Sequence, residues 1–431
     1  MDPVTILLFI IVILFLVKTY NEQKNQKYKN FPPGPKPLPF IGSLHVIDLQ
    51  KPHYAFMKLS EEYGSVFSIQ LGIEKMVVLC GYDTVKDALI NHAEEFYERP
   101  NTAIIARTSH GNGILFAHGE NWKVMKRFTL STLRDFGMGR RSIENKINEE
   151  AQCLMQELKS YKGEPFENMT IVNAAVANII VSILLGDRFE YGDPTILKLM
   201  RIINENIRSF GTIMIRGKPE STLYFHNDNL GMLVSDLFVA GMETTSTTLR
   251  WGLLLMIKNP EIQKKVQNEI DRVIGSAEPK IEHRKQMPYT DAVIHEIQRF
   301  ADILPLNVPH ATAKDVTFRG YNIPKGTTII PLLTSVLRDK AYFEKPDEFY
   351  PEHFLDSRGN LKKNEAFIPF SLGKRSCAGE NLAKMELFLF FTTLLQNFTF
   401  QAPPGAKLDL TPALGFTNAP LPHKICAIPR C

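Results

Sequence analysis

One cysteine stands out by its neighbours. Cys377 lies in Phe370-Ser-Leu-Gly-Lys-Arg-Ser-Cys-Ala-Gly379, with Gly373 four residues upstream and Gly379 two downstream. An apolar run from Glu380 to Gln396 follows and reads as a helix. Backbone N–H groups at a helix start point at such a sulfur, and Lys374 and Arg375 add positive charge, so all three effects favour thiolate. A thiolate serves as a nucleophile or as a soft-metal ligand. The competing reading is a small buried residue, but the glycines predict a tight loop that lets something large and flat approach the backbone.

A second group lies in the long apolar stretch Asp228 to Asn259, which reads as a helix stopped by Pro260. Ala240-Gly-Met-Glu-Thr244-Thr245 puts an acid and hydroxyls inside it, which is costly unless they are partnered. Thr244 is expected to bond the carbonyl of Ala240, and Gly241 to weaken the helix and open a local gap. The alternative is a threonine-rich core helix with its hydroxyls bonded to its own backbone. Glu296 and Arg299 stand three apart on another helix, Tyr289 to Phe300, and can pair; a surface ion pair is the default for such a spacing.

The segment around Cys377 meets the pattern F-x-x-G-x-R-x-C-x-G at Phe370, Gly373, Arg375, Cys377 and Gly379. It resembles the haem-thiolate signature of the cytochromes P450. The resemblance implies that Cys377 is the axial ligand of the iron of haem b, where a thiolate pushes electron density that favours O–O cleavage. Glu296-Ile-Gln-Arg299 resembles the family's buried E-x-x-R lock, and Pro351-Glu-His-Phe354 its P-x-R-F segment with His353 for arginine. The 240–245 segment resembles the family's oxygen-activation motif; by that likeness Thr244 relays protons toward dioxygen and Glu243 helps supply them. Trp122-Lys-Val-Met-Lys126 resembles W-x-x-x-R with lysine for arginine. With Arg99, His310 and Arg375 it supplies donors for the two haem propionates, although Lys126 lacks the bidentate fork of arginine.

The implied fold is mainly α with small β-sheets, the P450 haem-thiolate fold. Its implied reaction puts one atom of O2 into an apolar small molecule (a fatty acid, steroid or xenobiotic). Electrons come from NADPH through P450 reductase, with cytochrome b5 as a further donor. From the proline hinge to Ile428 the chain looks like a microsomal family-2 member, close to fish members, with 40–431 as the haem-thiolate catalytic domain.

The elements that must position these residues are partly readable. Ser65–Leu71 and Lys75–Cys80 read as strands around Gly72; Ile143 to Leu158 and Ile262 to Val273 have helical spacing. Pro3 to Val17 is apolar but for Thr5, and lysines 18, 24, 27, 29 and 36 all follow it. That reads as a single-pass anchor over 1–20 in the endoplasmic reticulum membrane with the body in the cytosol. A stiff proline-rich hinge, 31–39, follows. A net charge of +4 over 431 residues gives no case for nucleic acid. The five cysteines include no C-x-x-C pair, which fits a reducing compartment. Lys123, Lys126, Arg127, Arg134, Arg140, Arg141 and Lys374 could face an acidic redox partner.

Length is where the chain departs from the resemblance. Family-2 members have about 60 more residues between the segments matching Trp122 and Ala240. The deficit falls between Arg201–Arg208 and Lys218–Phe225, joined by residues 209–217. By resemblance the missing piece is most of the F helix, the F–G loop and the G helix, which roof the substrate pocket. At about 25 cal/mol per Å², uncovering several hundred Å² costs many kcal/mol, and a wet site impairs oxygen activation. A splice form or an incomplete gene model with weak haem binding or slow turnover is the expectation. Two other classes compete with a monooxygenase: a haem- or reductase-binding protein without efficient turnover, and a P450-like isomerase, against which Thr244 and Glu243 speak.

Overall fold

The computed structural model describes residues 29–101, 109–135, 141–198, 200–201, 224–413 and 415–430. The run expected to be an anchor and the 209–217 joint lie outside the described residues. Among the described residues no helix is long and apolar enough to cross a membrane. Two compact units are present: one holds the described residues up to Pro100 with Val308–Leu332, the other Asn101–Asn307 with the residues from Leu333 onward.

The first unit is built on a four-stranded sheet. Val66–Leu71 and Glu74–Leu79 form an antiparallel hairpin turned at Gly72, whose φ of +59° suits glycine. Glu74–Leu79 also pairs in parallel with Thr328–Pro331, which in turn holds His310–Ala311 antiparallel. Met76–Leu79 is an unbroken apolar run, fully buried, so both faces of the sheet are covered there in place of an in–out alternation. Helix α1, Pro52–Tyr63, starts on a proline at its first turn and ends at Gly64. The proline-rich 31–39 segment is docked here and is not a free spacer. Its carbonyls at Pro32 and Pro33 accept from the hydroxyl and N–H of Ser68, and a Cβ at Gly34 would lie 1.9 Å from the Ser68 carbonyl oxygen.

The second unit is helical: α2 (Gly119–Asp135), α3 (Arg141–Ser160), α4 (Asn168–Leu184), α5 (Asn227–Lys258), α6 (Pro260–Val273), α7 (Pro288–Ala301) and α8 (Glu380–Asn397). In α3 the buried Ile143, Ile147, Ala151, Leu154 and Leu158 form one stripe. Helices α6 and α7 each begin on a proline, and α6 is followed by Gly275 at φ +61°. The 32 residues of α5 span about 48 Å. It packs against α4, α7 and α8, and the core lies among these helices with Phe388, Phe390, Phe391, Phe398 and Phe400. A three-stranded sheet of Phe166–Glu167, Lys424–Pro429 and Phe398–Gln401 closes one end. The strand and helix expectations hold to within two residues.

Candidate functional site: the cysteine loop and the long helix

The loop before α8 is wound tightly. Ser371 and Gly373 take φ of +62° and +75°, the Cys377 N–H donates to the Phe370 carbonyl at 3.0 Å, and Ser376 N–H to Gly373. Asn307 Nδ2 holds the Ser371 hydroxyl at 2.8 Å. Gly379 caps α8, and the backbone N–H groups of Gly379 and Glu380 bond the Cys377 sulfur. Of the described cysteines, Cys80 and Cys426 are buried, Cys153 is half-buried and Cys377 is exposed.

Of the three effects expected to favour thiolate, the backbone N–H groups act on the sulfur and Arg375 does not. Burial of the sulfur pushes the Cys377 thiol up, and the two N–H groups offset only part of this, with Glu380 adding to the rise. The guanidinium of Arg375 points elsewhere. Arg375 donates to the carbonyls of Ile114 at 3.3 Å and Ala117 at 2.7 Å, and its guanidinium lies 3.9 Å from the Trp122 ring centre. Lys126 Nζ donates to the Lys374 carbonyl and sits 5.2 Å from the same ring. Burial, then repulsion from Arg375 and Lys374, lowers the Lys126 ammonium from its usual range. Trp122, Lys126 and Arg375 are thus brought together.

The loop that receives Arg375 is itself pinned by α5. Asp236 accepts N–H groups of Ile114 at 2.7 Å and Leu115 at 2.9 Å, and Asn229 accepts from Gly113 at 2.7 Å. Gly113 has φ +80°, and a Cβ there would meet Asp236 at 2.2 Å. Nothing in the sequence pattern pointed to Asp236 or Asn229.

Helix α5 runs unbroken through 240–245. Thr244 Oγ1 donates to the Ala240 carbonyl at 2.7 Å, as the sequence predicts. Ala240 is exposed and Thr244 half-buried, one turn apart, while Met242–Met256 is otherwise buried. Gly241 does not open the helix. A Cβ there would lie 2.7 Å from Ile180 of α4, so the glycine serves close helix packing. Glu243 faces the buried side and accepts from Thr247 Oγ1 at 3.3 Å and Thr417 Oγ1 at 2.9 Å.

Glu296 and Arg299 are wholly buried and paired at 2.8 and 2.7 Å, not at the surface. Arg299 also donates to the carbonyls of Leu337, Pro346 and Glu348, which occupies all five of its N–H groups. The Lys345 N–H donates to His353 Nε2, so Nδ1 carries the proton and donates to Glu296 at 3.2 Å.

In the first unit, Arg99 donates to the carbonyls of Val308 and Pro309 at 2.7 and 2.8 Å, and His310 Nδ1 to Phe96 at 2.7 Å. Both are buried and are brought together there. With Nδ1 committed as donor, His310 could donate to a carboxylate from Nε2 only as the imidazolium.

Similarity to known proteins bears on these motifs. A family model described as "Cytochrome P450" matches residues 32–216 and 202–427. Cytochrome P450 2K4 of Oncorhynchus mykiss is 45% identical over 97% of this chain and 96% of its own length. Cytochrome P450 2K1 of the same fish is 44% identical over 100% and 98%. The chain belongs to the cytochrome P450 family. Cytochrome P450 2B19 of Mus musculus is 43% identical over the full length of both. P450s are haem-thiolate monooxygenases, so this chain is an oxidoreductase whose cofactor is haem, with a cysteine thiolate on iron. The residues present fit that group. Among the described residues no group of three His, Cys, Asp or Glu side chains is placed to hold a metal ion. The exposed Cys377 is the described sulfur most open to haem.

One buried acid was missed by sequence reasoning. Glu386 of α8 is 1% exposed, and burial pushes its carboxyl up to about 8, with Thr245 of α5 offsetting part of the rise. Between the ordinary carboxylate value and about 8, the native state holds a proton that the unfolded chain releases. Its contribution to stability is therefore complete at low pH and is lost as pH rises through that window, at up to ~1.4 kcal/mol per pH unit. Asp236 and Asp302, raised by burial to about 6, add to the fall only below that value. Glu386→Gln is expected to flatten stability between about pH 6 and 8, read as urea midpoints across the range.

Proposed function

We propose that Cys377 is the axial ligand, that Thr244 and Glu243 serve the oxygen side, and that Trp122, Lys126 and Arg375 support the cofactor's polar edge. The single observation that carries this is Cys377 itself, an exposed residue in a loop wound between Phe370 and Gly379 at the start of α8. For Arg99 and His310 the role toward the propionates rests on the resemblance and on their pairing within the first unit. When bound, haem supplies the iron at which dioxygen is activated. The chain's own part is to hold the ligand, keep water out and move protons. Thr244 keeps its hydroxyl on the Ala240 carbonyl, ready to exchange that bond for one to an incoming oxygen.

The substrate class is an apolar small molecule: a fatty acid, steroid or xenobiotic. Electrons come from NADPH through P450 reductase, with cytochrome b5 as a further donor. Lys123, Lys126, Arg127, Arg134 and Lys374 line one groove of about 460 Å³ with Trp122, Leu130 and Ser131, which supports an acidic redox partner. Arg140 and the side chain of Arg141 lie outside the described residues. Residence in the endoplasmic reticulum membrane, with the body toward the cytosol, is the proposed location. In the first unit Phe40, Leu49 and Ile73 are strongly exposed apolar residues, which supports contact with lipid.

A second reading has its own support. The 2K1 alignment takes 492 positions against 431 residues here, leaving 61 unmatched on this side, and the family model matches in two pieces that share 202–216. A chain short of the F–G segment would bind haem or reductase without efficient turnover. The test is purified chain with reductase, NADPH, ¹⁸O₂ and lauric acid as probe. One labelled oxygen in a hydroxylated product is expected; haem-loaded chain that consumes NADPH without product gives the second reading.

A further inference from the structure

The C-terminal loop is tied to α5 at three points. Thr417 Oγ1 donates to Glu243 Oε1 at 2.9 Å, the Trp251 indole N–H to the Asn418 carbonyl at 2.7 Å, and Arg250 to the Pro420 carbonyl at 3.2 Å. The same loop is tied to the end of α7: Asn418 N–H donates to the Ile303 carbonyl at 3.0 Å, and its Nδ2 to the Asp302 carbonyl at 2.8 Å. Asn418 is thus fixed on two helices, which leaves Thr417 little freedom.

We infer that Thr417 is a positioning residue for Glu243, fixing the carboxylate of the oxygen-side acid from the far end of the chain. The inference deepens, and rests on, the monooxygenase reading. Thr417 is buried, so its hydroxyl has little water to turn to. Thr247, one turn along α5, donates to the same oxygen at 3.3 Å. Two hydroxyl donors on one oxygen select a single rotamer of a side chain that would otherwise lose that order. Thr244, on the neighbouring face, keeps its own bond to Ala240. An acid held in one place delivers its proton from one place; a wandering acid delivers it in a fraction of its conformers. Losing one of its two hydroxyl donors returns part of that rotamer freedom to Glu243 and lowers the population of the productive pose by about threefold or more.

The test compares native chain, T417V and T417S with reductase and NADPH. The first measurement is the share of NADPH recovered as hydrogen peroxide, where O₂, NADPH and a proton give H₂O₂ and NADP⁺. The share is expected to rise at least about threefold in T417V, with a changed pH profile, and to return to the native value in T417S. The second measurement needs no activity: T417V should lower the urea midpoint of the native chain but not of the E243A variant. An unchanged peroxide share in T417V, or equal midpoint losses on both backgrounds, overturns the inference. If T417V does not fold, T417S failing to match the native peroxide share overturns it. A native chain that consumes no NADPH defeats the monooxygenase reading, and the unfolding cycle then decides alone whether Thr417 holds Glu243.

Discussion

Cys377→Ala is expected to abolish the thiolate-type spectrum and all monooxygenase turnover while leaving the fold standing. The residue is exposed and its loop is held by other atoms: Phe370 O to Cys377 N–H, Gly373 O to Ser376 N–H and Ser371 Oγ to Asn307. An exposed substitution of this kind shifts stability by no more than about 0.5 kcal/mol. What disappears is the only sulfur at that place, and with it the electron push that a thiolate gives iron. Cys153→Ser is the matched control, since Cys153 lies half-buried on α3 far along the chain. Visible spectra, haem content per chain and a urea midpoint on the same samples check the prediction: C377A changes the first two and not the third.

The second large effect is expected at the buried pair on α7. Glu296 accepts two bonds from Arg299, one from the Tyr350 N–H at 2.8 Å and one from His353. Arg299 fixes the carbonyls of Leu337, Pro346 and Glu348 as well, so one guanidinium gathers the irregular stretch between 337 and 353 onto α7. Removing one partner strands a charge with no water to take it up, at about 3–5 kcal/mol. Glu296→Ala should cost about that much. Arg299→Lys should come close to it, because an ammonium has three donors and no fork to replace five N–H groups. His353→Ala should cost less, about 1–2 kcal/mol, since it removes one neutral donor to Glu296 and one acceptor for the Lys345 N–H. Urea midpoints of the three variants should follow that order.

How much of this was readable in the sequence follows from how local each feature is. The cysteine loop, the Glu296–Arg299 pair and the Thr244 bond to Ala240 join residues within one turn or one loop, so spacing alone reaches them. The Asp236 hold on Ile114 and the Thr417 hold on Glu243 cross more than 100 residues through backbone N–H and hydroxyl groups, which leave no periodic trace. Helix α4 escaped for a different reason: it is buried nearly all round, so its apolar run has no polar face to mark a period. The prolines of 31–39 do rule out helix. They say nothing of the Ser68 donors that hold their carbonyls to the sheet. At Cys377 adjacency in the chain does not set direction: Arg375, two residues away, turns to Ile114 and Ala117.

In the proposed reading this 431-residue chain assembles a haem-thiolate site on Cys377 despite the positions it lacks against its relatives. The reduced carbon-monoxide difference spectrum of the purified, haem-supplemented chain tests it most directly. A thiolate-type band, present in the native chain and absent from C377A, is the result predicted. No haem uptake, or a band of the neutral-ligand type that C377A leaves unchanged, would contradict it.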